Sequence, residues 1–531
     1  MRKKILLFFL SFLLTSYLFS QKKTVQEVLE NTISNETLEN IHFHLNKTSF
    51  TRGEHLWFAA YVQDQITQLP SQATTNLHVA IYDTAGNEVK RNLILVENGM
   101  ATGDFSIDST FVEDRYLVLG WTSYMKNFKK LAPYTQQIEI IDELNYDDVE
   151  SSPEFTLETY PEGGNLIAGA FNNIGIRYAD QNGKGIALSN IKLVDMQGVV
   201  ITPNIATNAE GFGKVGFMVG RDKEYFLEIK PQKGKKAKIP IKISINTDIG
   251  LSINNLGKRK VITKLVLSEE TISKREDVTY TLAIVQNNKI FLQEWKINDD
   301  SLTIAIERDS LPHGINTAIL FDEKLNPVSW RLFFNHVVNK QRMVKMAIDH
   351  GMNTPQDSVE INLNTTDSLT VGMNLSVSVL PSNTQAYSPQ NSLVSSFLIN
   401  PYVNSRINSN YDVKDFDRYK NYALDVKLLV EGWGRYDWEE RTNGQINADF
   451  KMESGIEVVG KILDADLQEE KQAYLMTLES KSMLFEDLKE DKSFSTNMVL
   501  YQNDSLGVSL IGKKGLLVKP RVELQIGKSL Q

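Results

Sequence analysis

The stretch I-H-F-H-L-N-K-T-S-F-T-R-G-E-H-L-W-F-A-A-Y-V, from Ile41 to Val62, decides how this chain is read. Two apolar runs flank a turn at Thr51, Arg52 and Gly53, where glycine supplies the backbone freedom a tight reversal needs. In the second run Leu56, Phe58, Ala60 and Val62 fall on one face of a strand, and Trp57, Ala59 and Tyr61 on the other. A strand apolar on both faces belongs inside a packed sandwich, not at a solvated edge. Trp57 is therefore expected to be buried.

Working outward, the same grammar recurs. Leu77 to Tyr82 and Leu93 to Val96 read as strands around a turn at Asp83 to Asn87. Asp180 to Gly185 and Asn208 to Gly213 read as hairpin turns between short β-rich runs, and Met373 to Leu380 (M-N-L-S-V-S-V-L) as another strand. Gln21 to Asn40 carries Val25, Val28, Leu29 and Ile33 at helical spacing, which suits a short lead-in helix or a loose arm. From Asn391 to Trp438 the apolar spacing turns helical again. Strand-and-turn units repeating roughly every 100 residues imply a tandem array of β-sandwiches. The expected fold is all-β with one helical insertion. Its segments are 1–20, 21–40, 41–145, 154–243, 244–338, 341–452 (helical over 391–440) and 453–531.

Composition sets the bounds. A chain of 531 residues is too long for one core. Its 41% apolar content excludes a disordered protein. Arg2, Lys3 and Lys4 precede an apolar run from Ile5 to Phe19, and Ser20 precedes Gln21, which is the layout of a signal peptide. The run is shorter than the ~20 residues of a membrane span, and no later stretch is apolar enough for one. Loss of residues 1–20 leaves 54 basic against 66 acidic side chains, a balance of −12. That surface repels phosphate backbones, so nucleic acid is not expected as a partner. Cysteine is absent, which excludes disulfides, thiolate nucleophiles, cysteine metal sites and lipoprotein attachment.

The opening stretch resembles the first strands of the macroglobulin-like domain in exported proteins of the Bacteroidetes type. His44, Leu45, Lys47, Phe50, Gly53, Glu54, Trp57, Phe58, Ala60 and Tyr61 match that pattern, while Asn46 stands where the family has Asp. The segment from Gly103 through Arg115 to Phe128 continues the resemblance. So do P-E-G-G (Pro161, Glu162, Gly163, Gly164), Leu311 to Asp322 and Trp330 to Phe334. G-W-G-R-Y-D-W (Gly432 to Trp438) is similar to a family segment in which Gly434 is Arg. I-E-V-V-G-K-I-L-D, following Gly455, resembles the start of the regulatory sandwich found beside carboxypeptidases, and no TonB-dependent plug-like region is seen after it. The resemblance implies tandem macroglobulin-like, immunoglobulin-like sandwiches. It also implies structural roles for His44, Lys47, Gly53, Glu54, Trp57, Phe58, Tyr61, the P-E-G-G turn and Trp433, Arg435, Tyr436 and Trp438.

Candidate chemistry is sparse. His42 and His44 share a strand face with His55 across the turn, yet third-ligand spacing for a metal is lacking. Glu54 has only Lys47 and Arg52 beside it, which suits a turn cap or ion pair better than a catalytic carboxylate. Glu162 lacks the Lys-Ser/Thr of a phosphate loop. Asp147, Asp148 and Glu150 read as a solvated linker, and Asp299 to Ser301 as a loop, without calcium-loop spacing. Trp433, Arg435, Tyr436 and Trp438 suit packing or a recognition surface; packing is preferred for Trp433, and Trp438 stays open. There is no Gly-x-Ser-x-Gly elbow, His-Glu-x-x-His or dinucleotide fingerprint.

No catalytic residues, metal or cofactor are therefore expected. The expectation is a non-catalytic envelope scaffold with a protein partner, an accessory of an outer-membrane complex or transporter. It would be exported to the periplasm, outer-membrane surface or medium and touch membrane only through partners. The alternative is a macroglobulin-type protease inhibitor without a thioester, with Ser382 to Asn410 as its cleavable segment. Leu393 to Ile399 within that segment is apolar enough to dock instead.

Overall fold

The computed structural model describes residues 24–34, 38–128, 133–141, 155–181, 183–230, 236–241, 245–246, 249–274, 278–297, 302–337, 344–349, 360–365, 374–403, 417–432, 449–466, 470–479, 481–501, 504–512 and 515–527. The protein is all-β, a tandem array of sandwiches with a helical insertion. A first helix, α1 (Val25–Ser34), precedes the array. Among the described residues no helix is long and apolar enough to cross a membrane.

The first sandwich contains β1 (Glu39–Leu45), β2 (Ser49–Phe50), β3 (His55–Asp64), β4 (Asn76–Tyr82), β5 (Glu88–Leu95), β6 (Met100–Ser106), β7 (Arg115–Trp121) and β8 (Tyr134–Ile140). Its sheets run β1-β3-β6 and β2-β8-β7-β4-β5. The β1–β3 register sets Phe43 against Ala60 and Leu45 against Phe58, so these point inward with Leu56 and Val62. They close a core with Val79, Ile81, Phe105, Phe111 and Val118.

The other face of β3 corrects the expectation for Trp57. Ala59 is buried and Tyr61 half-buried, but Trp57 is 56% exposed. A later segment of the chain covers the outer face over His42 and Tyr61 and stops short of Trp57. Apolar alternation on both faces signals a covered sheet, but cannot say where the cover ends.

The second sandwich contains β9 (Phe155–Pro161), β10 (Leu166–Ile167), β11 (Phe171–Asp180), β12 (Ile191–Asp195), β13 (Val200–Ile205), β14 (Phe212–Met218), β15 (Tyr225–Ile229) and β16 (Ala237–Pro240). Sheets β14-β11-β9 and β13-β12-β15-β16 enclose Ile174, Ile176, Leu193, Phe217 and Leu227. A short strand, β17 (Ile245–Asn246), runs parallel to β10.

The third sandwich has β18 (Ile249–Asn254), β19 (Lys260–Leu267), α2 (Glu269–Lys274), β20 (Thr279–Gln286), β21 (Lys289–Lys296), β22 (Thr303–Glu307), β23 (Gly314–Phe321) and β24 (Pro327–Asn335). Sheets β18-β19-β22 and β21-β20-β23-β24 close over Leu251, Leu282, Trp295 and Phe333. The lead-in residues form a helix, α1, and its Val25, Leu29 and Ile33 pack on Ala283, Val285, Ile319 and Phe321. A 3.6-residue stripe thus meets a sheet face.

The next unit departs from the sequence reading. Its described strands are one antiparallel pair, β25 (Val344–Asp349) and β26 (Glu360–Thr365). Residues 374–380, expected as a strand, form none and join none of the described sheet ladders. They lie on the first sandwich. Helices α3 (Leu393–Leu398) and α4 (Arg418–Glu431) follow. Ser392 and Ser395 form a reciprocal capping box on α3, and Asp417 caps α4.

A final sandwich contains β27 (Ile456–Ile462), β28 (Gln472–Thr477), β29 (Met483–Asp487), β30 (Ser493–Met498), β31 (Leu506–Ile511), β32 (Leu517–Val518) and β33 (Val522–Ile526). Its sheets are β30-β27-β33 and β29-β28-β31-β32, and its core takes in Leu93 of the first sandwich.

Candidate functional site

The opening motif builds a rigid corner. Lys47 Nζ lies 2.6 Å from Glu54 Oε1, and Glu54 Oε2 accepts from the Thr51 amide at 2.7 Å. Gly53, at φ +93°, donates its amide to the Ile107 carbonyl at 2.7 Å. Slight burial would push the Glu54 carboxyl up, but the bonds from Lys47 and Thr51 outweigh it and hold it below the ordinary range. This corner aims Trp57, whose amide donates to Asn46 Oδ1 at 3.0 Å.

The outer face of β1-β3-β6 presents His42 beside Tyr61, His44 beside Ala59 and Thr102, and Trp57 beside Asp104. Residues 374–398 cover part of it. Ser376 Oγ lies 2.6 Å from His44 Nδ1 and accepts from the Tyr61 hydroxyl at 2.7 Å. Ser378 Oγ donates to the Asn46 carbonyl at 2.6 Å. The amides of Thr48 and Ser49 both donate to the Ala386 carbonyl, and Gln390 exchanges bonds with Gln136 and Gln137. On α3, Ser396 Oγ shares a 2.9 Å bond with His42 Nδ1. Burial, with His44 nearby, drives the His42 imidazole down to about 3, so the ring is neutral.

Beside this strap a groove of about 430 Å³ stays open. Its floor is Ala59 and Thr102, one wall is Ser376 to Ser378, and Trp57 and Asp104 stand opposite. His55 stacks on Trp57 with ring centres 5.6 Å apart and bonds Asp104 at 3.0 Å, fixing the indole. Sequence pattern found Trp57 and His44. It missed Asp104, Thr102 and Ser376, which carry no local signal and meet only through the fold.

A second cluster explains the P-E-G-G turn. Glu162, fully buried, accepts from Asn173 Nδ2 at 2.7 Å, Ser252 Oγ at 2.8 Å and the Ile253 amide at 3.2 Å. Arg331 Nε lies 3.2 Å from Glu162 Oε1, and its Nη2 lies 3.0 Å from Asp425 Oδ1 on α4. One guanidinium thus joins the second sandwich, the third sandwich and α4. Burial raises the Asp425 carboxyl despite Arg331 and Lys214. Glu162 is equally buried, yet Arg331, Lys214 and its side-chain donors outweigh that burial and hold it low. Gly163 is at φ +78°, and a Cβ there would sit 2.5 Å from Ser329 Oγ. Ser329 in turn donates to the Gly163 carbonyl at 2.7 Å. The signal for Arg331 was a lone cation inside the apolar run W-R-L-F-F.

His78, Ser123 and Glu453 form a third cluster, which resembles a hydrolytic triad only in composition. Glu453 Oε2 lies 2.8 Å from His78 Nε2, and Ser123 Oγ meets that same nitrogen at 3.3 Å while donating to Glu453 at 2.7 Å. A relay needs the base between hydroxyl and carboxylate on opposite ring nitrogens. With Thr75 and Asn76 bonded to Glu453 and Gly455, the cluster ties the final sandwich to the first.

Comparison with known protein families and with curated proteins returns no match. Solved structures do match. Methylamine-reacted alpha-2-macroglobulin of Salmonella is 8% identical, over 61% of this chain and 25% of that one, with a TM-score of 0.17. Native alpha-2-macroglobulin of Escherichia coli is 8% identical, over 94% and 30%, with a TM-score of 0.17. Dimeric latent PorU of Porphyromonas gingivalis is 10% identical, over 54% and 32%, with a TM-score of 0.26. The chain spans about a quarter to a third of each. Superpositions this loose carry no argument about activity, and the fold stands on the chain's own sheets.

His55 points to Asp104, away from His42 and His44, and among the described residues no group of three or more acidic or histidine side chains could hold a metal ion. Trp433, Arg435, Tyr436 and Trp438 lie outside the described residues, as do Asp147 to Glu150 and Asp299 to Ser301.

Proposed function

We propose that this protein is a non-catalytic scaffold of macroglobulin-like sandwiches, exported to the cell envelope as in the Bacteroidetes type, that binds a protein partner through its first sandwich. One observation carries the reading. The strap covers part of the outer sheet face, yet leaves Trp57 fixed beside an open groove. Aromatic anchors held rigid at a concave site are what protein recognition uses. The cross-ties at Arg331 and Glu453 supply a frame that can present that groove.

Protease trapping fits the same frame less well. Ser382 to Val403 belongs to the proposed cleavable segment, but Ala386 to Asn391 is hydrogen-bonded to β8 and the residues just before β2, and Ile399, Tyr402 and Val403 enter a core with Phe334 and Leu428. A docked segment resists cleavage. The test places a photo-crosslinking amino acid at Thr102 in cells that make the protein. Adducts with one envelope protein, lost on Trp57→Ala, are expected. A protease that, after incubation with this protein, stops cutting large substrates while still cutting small peptides would establish trapping and overturn the scaffold.

A further inference from the structure

The β12–β13 hairpin of the second sandwich carries an apolar tip. Residues 196–201, M-Q-G-V-V-I, are all exposed. Met196 is 56%, Val199 60%, Val200 44% and Ile201 37% exposed. Asp195 fixes the turn: its carboxylate accepts from the Val199 amide at 2.8 Å, and its carbonyl from the Gly198 amide at 3.1 Å. Gly198 takes φ +84°. The aliphatic side chains are thus displayed by a held turn.

The adjoining sheet face is basic on an acidic chain. Lys192, Glu228 and Lys238 are cross-strand neighbours on β12, β15 and β16. Lys236 Nζ lies 2.7 Å from Glu228 Oε2. That bond, with the charges of Lys238 and Lys192, holds the carboxyl below its ordinary range. Three lysines therefore surround one glutamate. Lys238 Nζ lies over the Phe226 ring, 4.3 Å from its centre, and donates to the Asp195 and Met196 carbonyls at 3.3 and 3.2 Å. A cation sits at the base of the apolar tip.

We infer that this hairpin inserts its tip into an anionic lipid surface, with Lys192, Lys236 and Lys238 at the level of the headgroup phosphates. The inference goes beyond the scaffold reading and uses a different sandwich. Exposed apolar patches mark protein or membrane contacts. Protein hot spots favour Trp, Tyr and Arg and are poor in Val, whereas this tip is aliphatic. β13 is an edge strand, but Pro203 breaks its row of donors, which disfavours pairing with a further strand. Apolar side chains beside lysines suit an interfacial anchor. Charge complementarity selects anionic headgroups.

The experiment uses the full mature chain with vesicles of phosphatidylglycerol and phosphatidylethanolamine, and phosphatidylcholine vesicles as the neutral control. The chain has no cysteine, so Val199→Cys takes a single environment-sensitive dye. Glu490→Cys, exposed on the final sandwich, serves as a distant control. On anionic vesicles the emission at 199 should shift to the blue and be quenched by a spin-labelled acyl chain, with no change at 490. Met196→Asp with Val199→Asp should weaken co-flotation at least tenfold and leave the thermal midpoint in place, since both side chains are exposed. Lys192→Gln, Lys236→Gln and Lys238→Gln together should weaken it at least tenfold on anionic vesicles. No flotation, equal flotation on neutral vesicles, or flotation that survives the paired Asp change would each overturn the inference. So would blue emission at 199 before lipid is added, which would show the tip covered by the chain itself. A photo-crosslink at 199 that captures an envelope protein and no lipid would overturn it too. None of these outcomes bears on crosslinking at Thr102, so the scaffold reading stands or falls separately.

Discussion

Replacing Arg331 by methionine keeps most of the side-chain volume and removes the charge shared by Glu162 and Asp425, along with the bonds the guanidinium donates to the Leu332 and Asp425 carbonyls. All three groups are essentially inaccessible, with side-chain exposures of 1%, 2% and 4%. At 3.0–3.2 Å and an effective dielectric near 20, each contact is worth about 5 kcal/mol before desolvation. Desolvation cancels much of this, and breaking a buried pair by removing one partner costs roughly 3–5 kcal/mol. With a urea slope of about 1–1.5 kcal/mol/M for a unit of this size, the midpoint should fall by roughly 2–5 M. Amide hydrogen exchange on Leu424 to Leu428 should accelerate with it, since α4 loses its anchor to β24. The triple change Glu162→Gln, Arg331→Met and Asp425→Asn removes all three buried charges but leaves Lys214, 4.0 Å from Asp425 and 17% exposed, without its carboxylates, and should recover part of the loss. A midpoint shift worth less than 1 kcal/mol for Arg331→Met, or a triple variant no more stable than the single, would refute the view that this guanidinium holds the units together.

Other perturbations probe the same frame. Gly175→Val should dislodge α4 at a cost of about 1–3 kcal/mol, because a Cβ there would meet Leu429 and Val430 at 2.3 and 2.7 Å; a denaturation curve and exchange on α4 check it. Trp57→Ala should change stability by less than about 1 kcal/mol, since the indole is mostly exposed, while weakening partner capture. His42 titrates near 3 when folded and near 6.5 when unfolded, so the folded state binds fewer protons between those values. Stability therefore falls as pH drops from about 6.5 toward 3. Exchange on α3 should speed up over that window, and His42→Gln should flatten the response. The secreted form should begin at Gln21, which N-terminal mass spectrometry of an envelope fraction decides.

How far the sequence could be read depended on the range of each interaction. Inward alternation of Leu56, Phe58, Ala60 and Val62 is local, so the sandwich and its core were legible from one stretch. Lys47 and Glu54 lie seven residues apart across a turn, and their pairing was legible too. The strap was not. Met373 to Leu380 has a strand's alternation, and that pattern states only that one side of the run is covered. It is silent on whether the cover is a ladder partner or the flat of a sheet more than 300 residues earlier. Here the polar side is the covered one, because Ser376 and Ser378 find His44, Tyr61 and Asn46 beneath them. The apolar side faces out, the reverse of what burial alone predicts.

Trp57 and the strap are two consequences of the same arrangement. A sheet with apolar residues on both faces must be covered twice, once by its sandwich partner and once by something else. In the first sandwich that second cover is supplied by residues 374–398, and it is narrower than the sheet. It shields His42 and Tyr61 and leaves Trp57, Thr102 and Asp104 at its margin. An aromatic side chain costs little conformational entropy to immobilise and buries a large area when met. His55 and Asn46 have already fixed this one. The fixed indole and the groove beside it therefore meet at one margin of the first sandwich. A rigid aromatic beside an open hollow is why the proposed recognition site is put on the first sandwich.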